Sequence, residues 1–349
     1  MAENIAIPSF ADMATPADHP KVKRPRIGIL LINLGTPDAP DIPALKRYLR
    51  EFLSDPRVVE IPQLIWQPLL RGVILNTRPK QSAKAYSKIW MGEGSPLLVY
   101  TKRQAEALNR SMGDRVMVDF AMRYGKPAIP EKLRHLKESG CDHILVAPLY
   151  PQYSGATTAT VVDKVGDTLM RMRHQPTVRY LAPYYDNDAH VTALADSVRE
   201  GLAGLDFTPD AVITSFHGMP LQTLYDGDPY HCQCRKTARL VSEKLADILS
   251  QPLIVSFQSR FGRAKWLDPA TEDTLETLPE KGIKKVAVFA PGFAVDCVET
   301  LEELAIEGEE QFAEAGGERF AYIPCLNDSE RSIAMLETLM REELGGWLD

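Results

Sequence analysis

The chain has little cysteine, and the five it has, Cys141, Cys232, Cys234, Cys297 and Cys325, are scattered through 349 residues. Thiols so few and so spaced exclude a disulfide framework and point to a reducing, cytoplasmic setting. Basic charge is also short: 40 Lys and Arg face 47 Asp and Glu, a formal net charge of −7. That balance excludes nucleic-acid binding by charge, because neutralising phosphates needs a cationic surplus. No apolar run approaches the ~18–20 residues needed to span a bilayer. The first twenty residues are polar, carry Pro8, Pro16 and Pro20, and lack the apolar core of a signal peptide, so 1–24 reads as a flexible arm. There is no Walker loop, and Gly92-Glu-Gly94 neither follows a strand nor completes a dinucleotide fingerprint. His-Glu-x-x-His and Gly-x-Ser-x-Gly are absent too, which removes the sequence basis for a zincin or a hydrolase elbow.

What is present is alternation. Short β-branched runs at 27–34, 116–124, 143–150, 178–184, 211–217, 253–258, 286–293 and 320–324 are separated by stretches with helical spacing of apolar residues, such as 42–52, 101–112, 130–138, 191–205 and 236–249. That order predicts an α/β fold of parallel sheets wrapped by helices. Eight strands suit two doubly wound lobes of about four strands each, with an active cleft between them, better than one large sheet. We place the seam near 172–175. The expected organisation is an arm (1–24), one lobe (25–172 with 321–349) bearing the lip and rim of a ligand pocket, and a second lobe (173–320). Polar or aromatic residues sit where the apolar runs stop, among them Asn33, Arg123-Tyr124, Tyr150, Tyr153-Ser154, His217 and Phe293. Ligands of open α/β sheets bind outside the carboxyl ends of the strands, and this aromatic setting fits a large, flat, partly apolar ligand.

One stretch carries an acidic line. After the strand 286–289 and the break at Pro291-Gly292, Asp296 stands at a helix start with Glu299 three residues on, close to a capping box. Asp296, Glu299, Glu303 and Glu307 then recur at helical spacing and share one face, with Val298, Leu301, Leu304 and Ala305 opposite. A file of like charges matters where it faces a pocket, and there it suits traffic in cations or protons. His217 ends the strand Ala211-Val-Ile-Thr-Ser-Phe-His217 and precedes Gly218-Met219-Pro220. A neutral imidazole at such a strand end accepts a proton near pH 7 or binds a transition metal. Paired with Glu299, it would make a weak, open site able to pass a metal on. Cys232-Gln-Cys234 is the one tight cysteine pair and opens a helix, where thiols bind soft metals or an iron–sulfur cluster, or are idle.

Several motifs, in this order and spacing, resemble ferrochelatases over nearly the whole chain after the arm. They are Leu31-Ile-Asn-Leu-Gly-Thr-Pro37, Phe120-Ala-Met-Arg-Tyr124, Pro148-Leu-Tyr-Pro-Gln-Tyr-Ser154, Ser215-Phe-His-Gly-Met-Pro220, Gly227-Asp-Pro-Tyr230, Phe257-Gln-Ser-Arg-Phe-Gly262 with Trp266-Leu267, and Phe293-Ala-Val-Asp-Cys-Val-Glu-Thr-Leu301. The resemblance implies a lyase that inserts Fe²⁺ into protoporphyrin IX, the last step of haem biosynthesis, with the porphyrin between two similar lobes. It implies His217 and Glu299 as catalytic and metal-handling residues, and Asp296, Glu303 and Glu307 as a relay on a helix often built with a π-bulge. Leu34, Arg123, Tyr124, Tyr153, Ser154, Trp266 and Phe293 would contact the porphyrin, with Lys80 at the rim.

Two departures from the family pattern bear on cofactors. Gly155 stands where animal enzymes have a cluster cysteine, and 347–349 ends the chain without their cysteine-bearing extension. An animal-type [2Fe–2S] cluster is therefore not expected, while one using Cys232 and Cys234 stays open. Cys297 and Ala305 also replace the His and Asp of other members. The apolar segment Ile61-Pro-Gln-Leu-Ile-Trp66-Gln-Pro-Leu-Leu70 is expected at the pocket mouth, where it either packs in the core or touches the inner membrane face peripherally. The rival readings are a cobalt chelatase for another tetrapyrrole and a non-catalytic porphyrin or haem carrier.

Overall fold

A computed structural model describes residues 26–249, 251–262 and 264–348; the expected arm, 1–24, lies outside the described residues. Among the described residues eight strands form: β1 Arg26–Gly35, β2 Val116–Tyr124, β3 Cys141–Pro148, β4 Thr177–Tyr180, β5 Ala211–His217, β6 Ile254–Gln258, β7 Lys285–Phe289 and β8 Arg319–Ile323. They make two four-stranded sheets, ordered β2-β1-β3-β4 and β6-β5-β7-β8, and every pairing is parallel. The α/β expectation of two doubly wound units holds. The second order repeats the first strand for strand.

In each sheet the first strand lies between the next two, so winding reverses there. β1 and β5 are thus topological switch points, and a ligand crevice opens outside their carboxyl ends. Continuous apolar runs such as Ile29-Leu-Leu-Ile32, with each residue fully buried, are what a strand covered on both faces requires. Fully burying each such side chain is worth roughly 1.5–3 kcal/mol. The two sheets share one core, in which Ile29, Leu31 and Leu145 pack in the same cluster as Val212, Ala287 and Phe289. Two of the helices begin where the sequence supplies a side-chain acceptor: Asp41 accepts from Ala44 N, and Ser95 accepts from Leu98 N with Pro96 in the first helical position.

The expected seam is corrected. β4 pairs with β3 from His143↔Thr177 to Val146↔Tyr180, so the first sheet continues past 172–175 and the chain crosses over after residue 180. β8 pairs with β7, which moves 321–323 from the first unit to the second. The following chain does return to the first unit: Gln104 Nε2 donates to Asn327 O (2.7 Å) and Arg115 donates to Leu348 O (2.8 Å). Among the described residues no helix is long and apolar enough to cross a membrane.

Candidate active site

His217 is the last residue of β5, and its register partner is Gln258 at the end of β6. Gln258 is the hub of the site. Its side-chain oxygen accepts from Ser215 Oγ (2.8 Å), its Nε2 donates to Glu299 O (2.7 Å), and its backbone oxygen accepts from Gly218 N (2.8 Å). One amide therefore ties β5, β6 and the acidic helix together. Gly218 is required for this approach, because a Cβ there would lie 2.5 Å from Gln258 O and 3.3 Å from Trp266 Cε3. The same contact puts Trp266 beside the turn that follows His217. Phe293 stands edge-on to His217, with ring centroids 6.5 Å apart.

The acidic segment, Glu299–Glu307, is a π-helix throughout. His217, Val298, Glu299, Glu302, Glu303 and Glu307 line one cavity of about 490 Å³, closed on its far side by residues of the helix Leu75–Ile89. The histidine and three of the four predicted carboxyl groups thus face the same space. Val298, expected on the opposite side, faces it too.

Asp296 does not join the line. It is 3% exposed, and its two oxygens accept from Thr300, Tyr322, Asn327 and Cys325 N. Its place before the helix turns it into the protein, where it organises the entry to the helix. Glu302, which α-helical spacing leaves off the line, lines the cavity instead and accepts from Lys88 Nζ (2.7 Å). A π turn brings residues five apart together, and Glu302 acts on the Glu307 carboxyl group, five residues on. Only a π-winding could have revealed this pair.

Electrostatics grade the cavity. Burial pushes the His217 imidazole below its usual range, with Glu299 opposing the shift. His217 is therefore neutral at pH 7 and free to accept a proton. Burial lifts Glu303 to about 7, against the hydrogen bond from Ser259 and with help from Glu299. Glu307 is raised by burial and by Glu302, while Lys88 opposes. The cavity thus holds a neutral base at the end of β5 and, on the helix, a carboxyl group that titrates near neutrality followed by Glu307.

The residues expected around a macrocycle are placed differently from one another. Phe293 stands beside His217, and Trp266 beside the following Gly218. Arg123 donates through Nε to Thr160 O (2.8 Å) and pairs with Asp55, while Tyr124, 1% exposed, donates to Asp55 (2.9 Å). Both are held in an internal network and do not line the acidic cavity. Ser154 is buried and caps a π turn by accepting from Ala156 N (3.2 Å), and Tyr153 N donates to Gln233 (2.7 Å). Leu34 is half-buried at the end of β1, and Lys80 is exposed. Cys234 is buried and Cys232 exposed. Among the described residues no group of three His, Cys, Asp or Glu is arranged to hold a metal ion. In the segment 61–70 the helix starts at Gln63, and Trp66 is buried, donating to Leu53 O (2.6 Å). Leu64 (93%) and Ile65 (66%) stand in solvent.

A family model for ferrochelatase matches residues 26–344. The chain belongs to the ferrochelatase family. It is 50% identical over 337 residues to the ferrochelatase of Allorhizobium ampelinum, covering 95% of this chain and 98% of the relative. It is 52% identical over 336 residues to that of Azoarcus sp., covering 96% and 92%. Ferrochelatase membership makes the chain a metal chelatase, an enzyme of haem biosynthesis. Among solved structures, SirB from Bacillus subtilis with Fe³⁺ superposes with a TM-score of 0.55 at 13% identity, covering 91% of this chain and 95% of that one. At that identity the likeness is one of fold, and it matches the two-sheet architecture found here.

Proposed function

We propose that this ferrochelatase-family enzyme inserts Fe²⁺ into protoporphyrin IX to give protohaem, with His217 as the proton acceptor and the cavity behind it as the route for exchange. The observation that carries this reading is the single cavity shared by His217, Glu299, Glu303 and Glu307. Metallation puts one Fe²⁺ into the ring and takes out two pyrrole protons, so total charge is conserved. His217, neutral and at the sheet's switch point, accepts a pyrrole proton, and Glu299 beside it takes the proton onward. Glu303 can bind and release that proton at neutral pH, because its affinity matches the medium. Reset in this way, His217 accepts the second proton. Trp266 and Phe293 supply apolar walls for the ring, and Leu34 and Tyr153 suit its edge. Arg123, Tyr124 and Ser154 support the frame behind that edge through their internal bonds. Asp296 supports the acidic helix in the same sense.

The first sheet and its helices we take as the lobe covering the macrocycle, and the second as the lobe of metal exchange. The exposed apolar face at Ile61, Leu64, Ile65, Leu69 and Val73 supports contact with an apolar surface, either the porphyrin on its way in or a membrane face. About 50% identity to ferrochelatases along the chain supports this reading over a cobalt chelatase, and the acidic cavity supports it over a passive carrier.

Incubating the purified protein with protoporphyrin and Fe²⁺ anaerobically, or with Zn²⁺, tests the proposal by absorbance. Porphyrin bands should give way to those of the metallated ring. Tight porphyrin binding with no metallation would leave the carrier reading.

A further inference from the structure

The acidic cavity holds a cation of its own. Lys88, in the last turn of the helix Leu75–Ile89, donates a 2.7 Å hydrogen bond to Glu302 Oε1 across the cavity. Glu302 is 8% exposed, whereas the Lys88 side chain is 35% exposed. Glu307 and Glu310 also act on the Lys88 ammonium, so it sits at the outer end of the acidic line, away from His217, whose charged neighbour is Glu299. Of the other cations lining the cavity, Arg78, Lys84 and Arg260, Arg260 pairs with Glu272 and Asp273, and Arg78 stacks over Phe261 at 3.9 Å. Among the described residues, Lys88–Glu302 is the ion pair between a cation and the π-helix.

We propose that Lys88 is a tethered competitor for the incoming metal, a charge that occupies the carboxylates at the outer mouth and must swing aside before a divalent cation can take its place. This rests on the metal-insertion reading above. The buried partner is fixed and the exposed one is mobile. A lysine head on a four-carbon stem can leave for water, whereas Glu302 is buried on the helix, with Glu307 lining the same cavity. A dication between Glu302 and Glu307 gains more than the single charge it displaces, while a monovalent ion gains nothing over the ammonium already there. Lys88 thus sets the threshold for entry and favours divalent over monovalent ions. It is a positioning and selectivity residue and touches no porphyrin.

The test is steady-state metallation of protoporphyrin by wild type, Lys88→Met, Lys88→Arg and Glu302→Gln, with metal and porphyrin varied separately. Lys88→Met keeps the stem and removes the charge. It should lower KM for Fe²⁺ or Zn²⁺ about two- to fivefold, the size of a partly exposed ion pair, with kcat and the porphyrin KM held within about twofold. It should also make the rate more sensitive to added K⁺. Lys88→Arg should restore the wild-type metal KM, and Glu302→Gln should raise it. A metal KM that rises or stays put in Lys88→Met, in a preparation whose thermal melt shows it folded, overturns the proposal. If Lys88→Met does not fold, a Glu302→Gln variant with unchanged metal KM overturns it equally. Absence of metallation by wild type would instead sink the underlying function.

Discussion

Ser259 Oγ donates a 2.6 Å hydrogen bond to Glu303 Oε2, from a backbone held at φ 62°. A loop residue in the left-handed region, uncommon for a side chain other than glycine, asparagine or aspartate, is thus aimed at the middle carboxyl group of the π-helix. The bond holds the Glu303 carboxyl group in place, and burial makes it a titrating group near neutrality.

That titration sets a pH dependence. Folded Glu303 takes up its proton near pH 7 and the ordinary carboxyl group near 4.5, so between these values the native state holds more protons than the unfolded one. Stability falls as pH rises through that window and levels off above it. Glu303→Gln removes the cost. The variant should be more stable than wild type by about 3 kcal/mol at pH 8 and indistinguishable well below about pH 4.5. Urea unfolding at both pH values checks this, and a variant less stable at pH 8 would contradict it.

Asp296 and Glu307, both predicted on one relay, should part company. Asp296→Ala leaves Tyr322, Asn327 and Cys325 N without the acceptor they now share. It should cost roughly 2–4 kcal/mol in urea unfolding, while the folded fraction keeps kcat within about threefold. Glu307→Gln, at an exposed position, should leave stability within about 0.5 kcal/mol and act on turnover instead. The reverse pattern would restore Asp296 to the relay.

Gly218 is constrained from two sides, by Gln258 O and by Trp266. Gly218→Ala should cost about 1–3 kcal/mol and lower metallation in step, because the displaced strand end carries His217. Gly72→Ala, where nothing lies within 4 Å of the added carbon, is the control and should be neutral or slightly stabilising. Equal effects at the two sites would mean that the turn tolerates movement.

Much of this was legible in the residues because apolar periodicity reports burial directly. β1 carries the unbroken apolar run Ile29–Ile32, and β5, rich in β-branched residues, ends at the break His217-Gly218. The seam was not legible, since β4 is four residues long, half of it polar, and its membership depends on pairing with β3. The acidic line was drawn with α-helical spacing. That spacing takes in Glu299, Glu303 and Glu307, but it admits Asp296 and misses Glu302, because the segment is wound as a π-helix and not an α-helix. Arg123 and Tyr124 read as pocket groups from their place at a strand end. Their partner Asp55, 68 and 69 residues away in sequence, turns them inward, and nothing local announces it.

The most direct trial of the central claim is His217→Ala, assayed in parallel for porphyrin binding by fluorescence and for metallation by absorbance. The account predicts binding within a few-fold of wild type and insertion slowed by about 10²–10⁴-fold. Insertion at the wild-type rate, with binding intact, would show that the imidazole facing the acidic cavity is not where the pyrrole protons go.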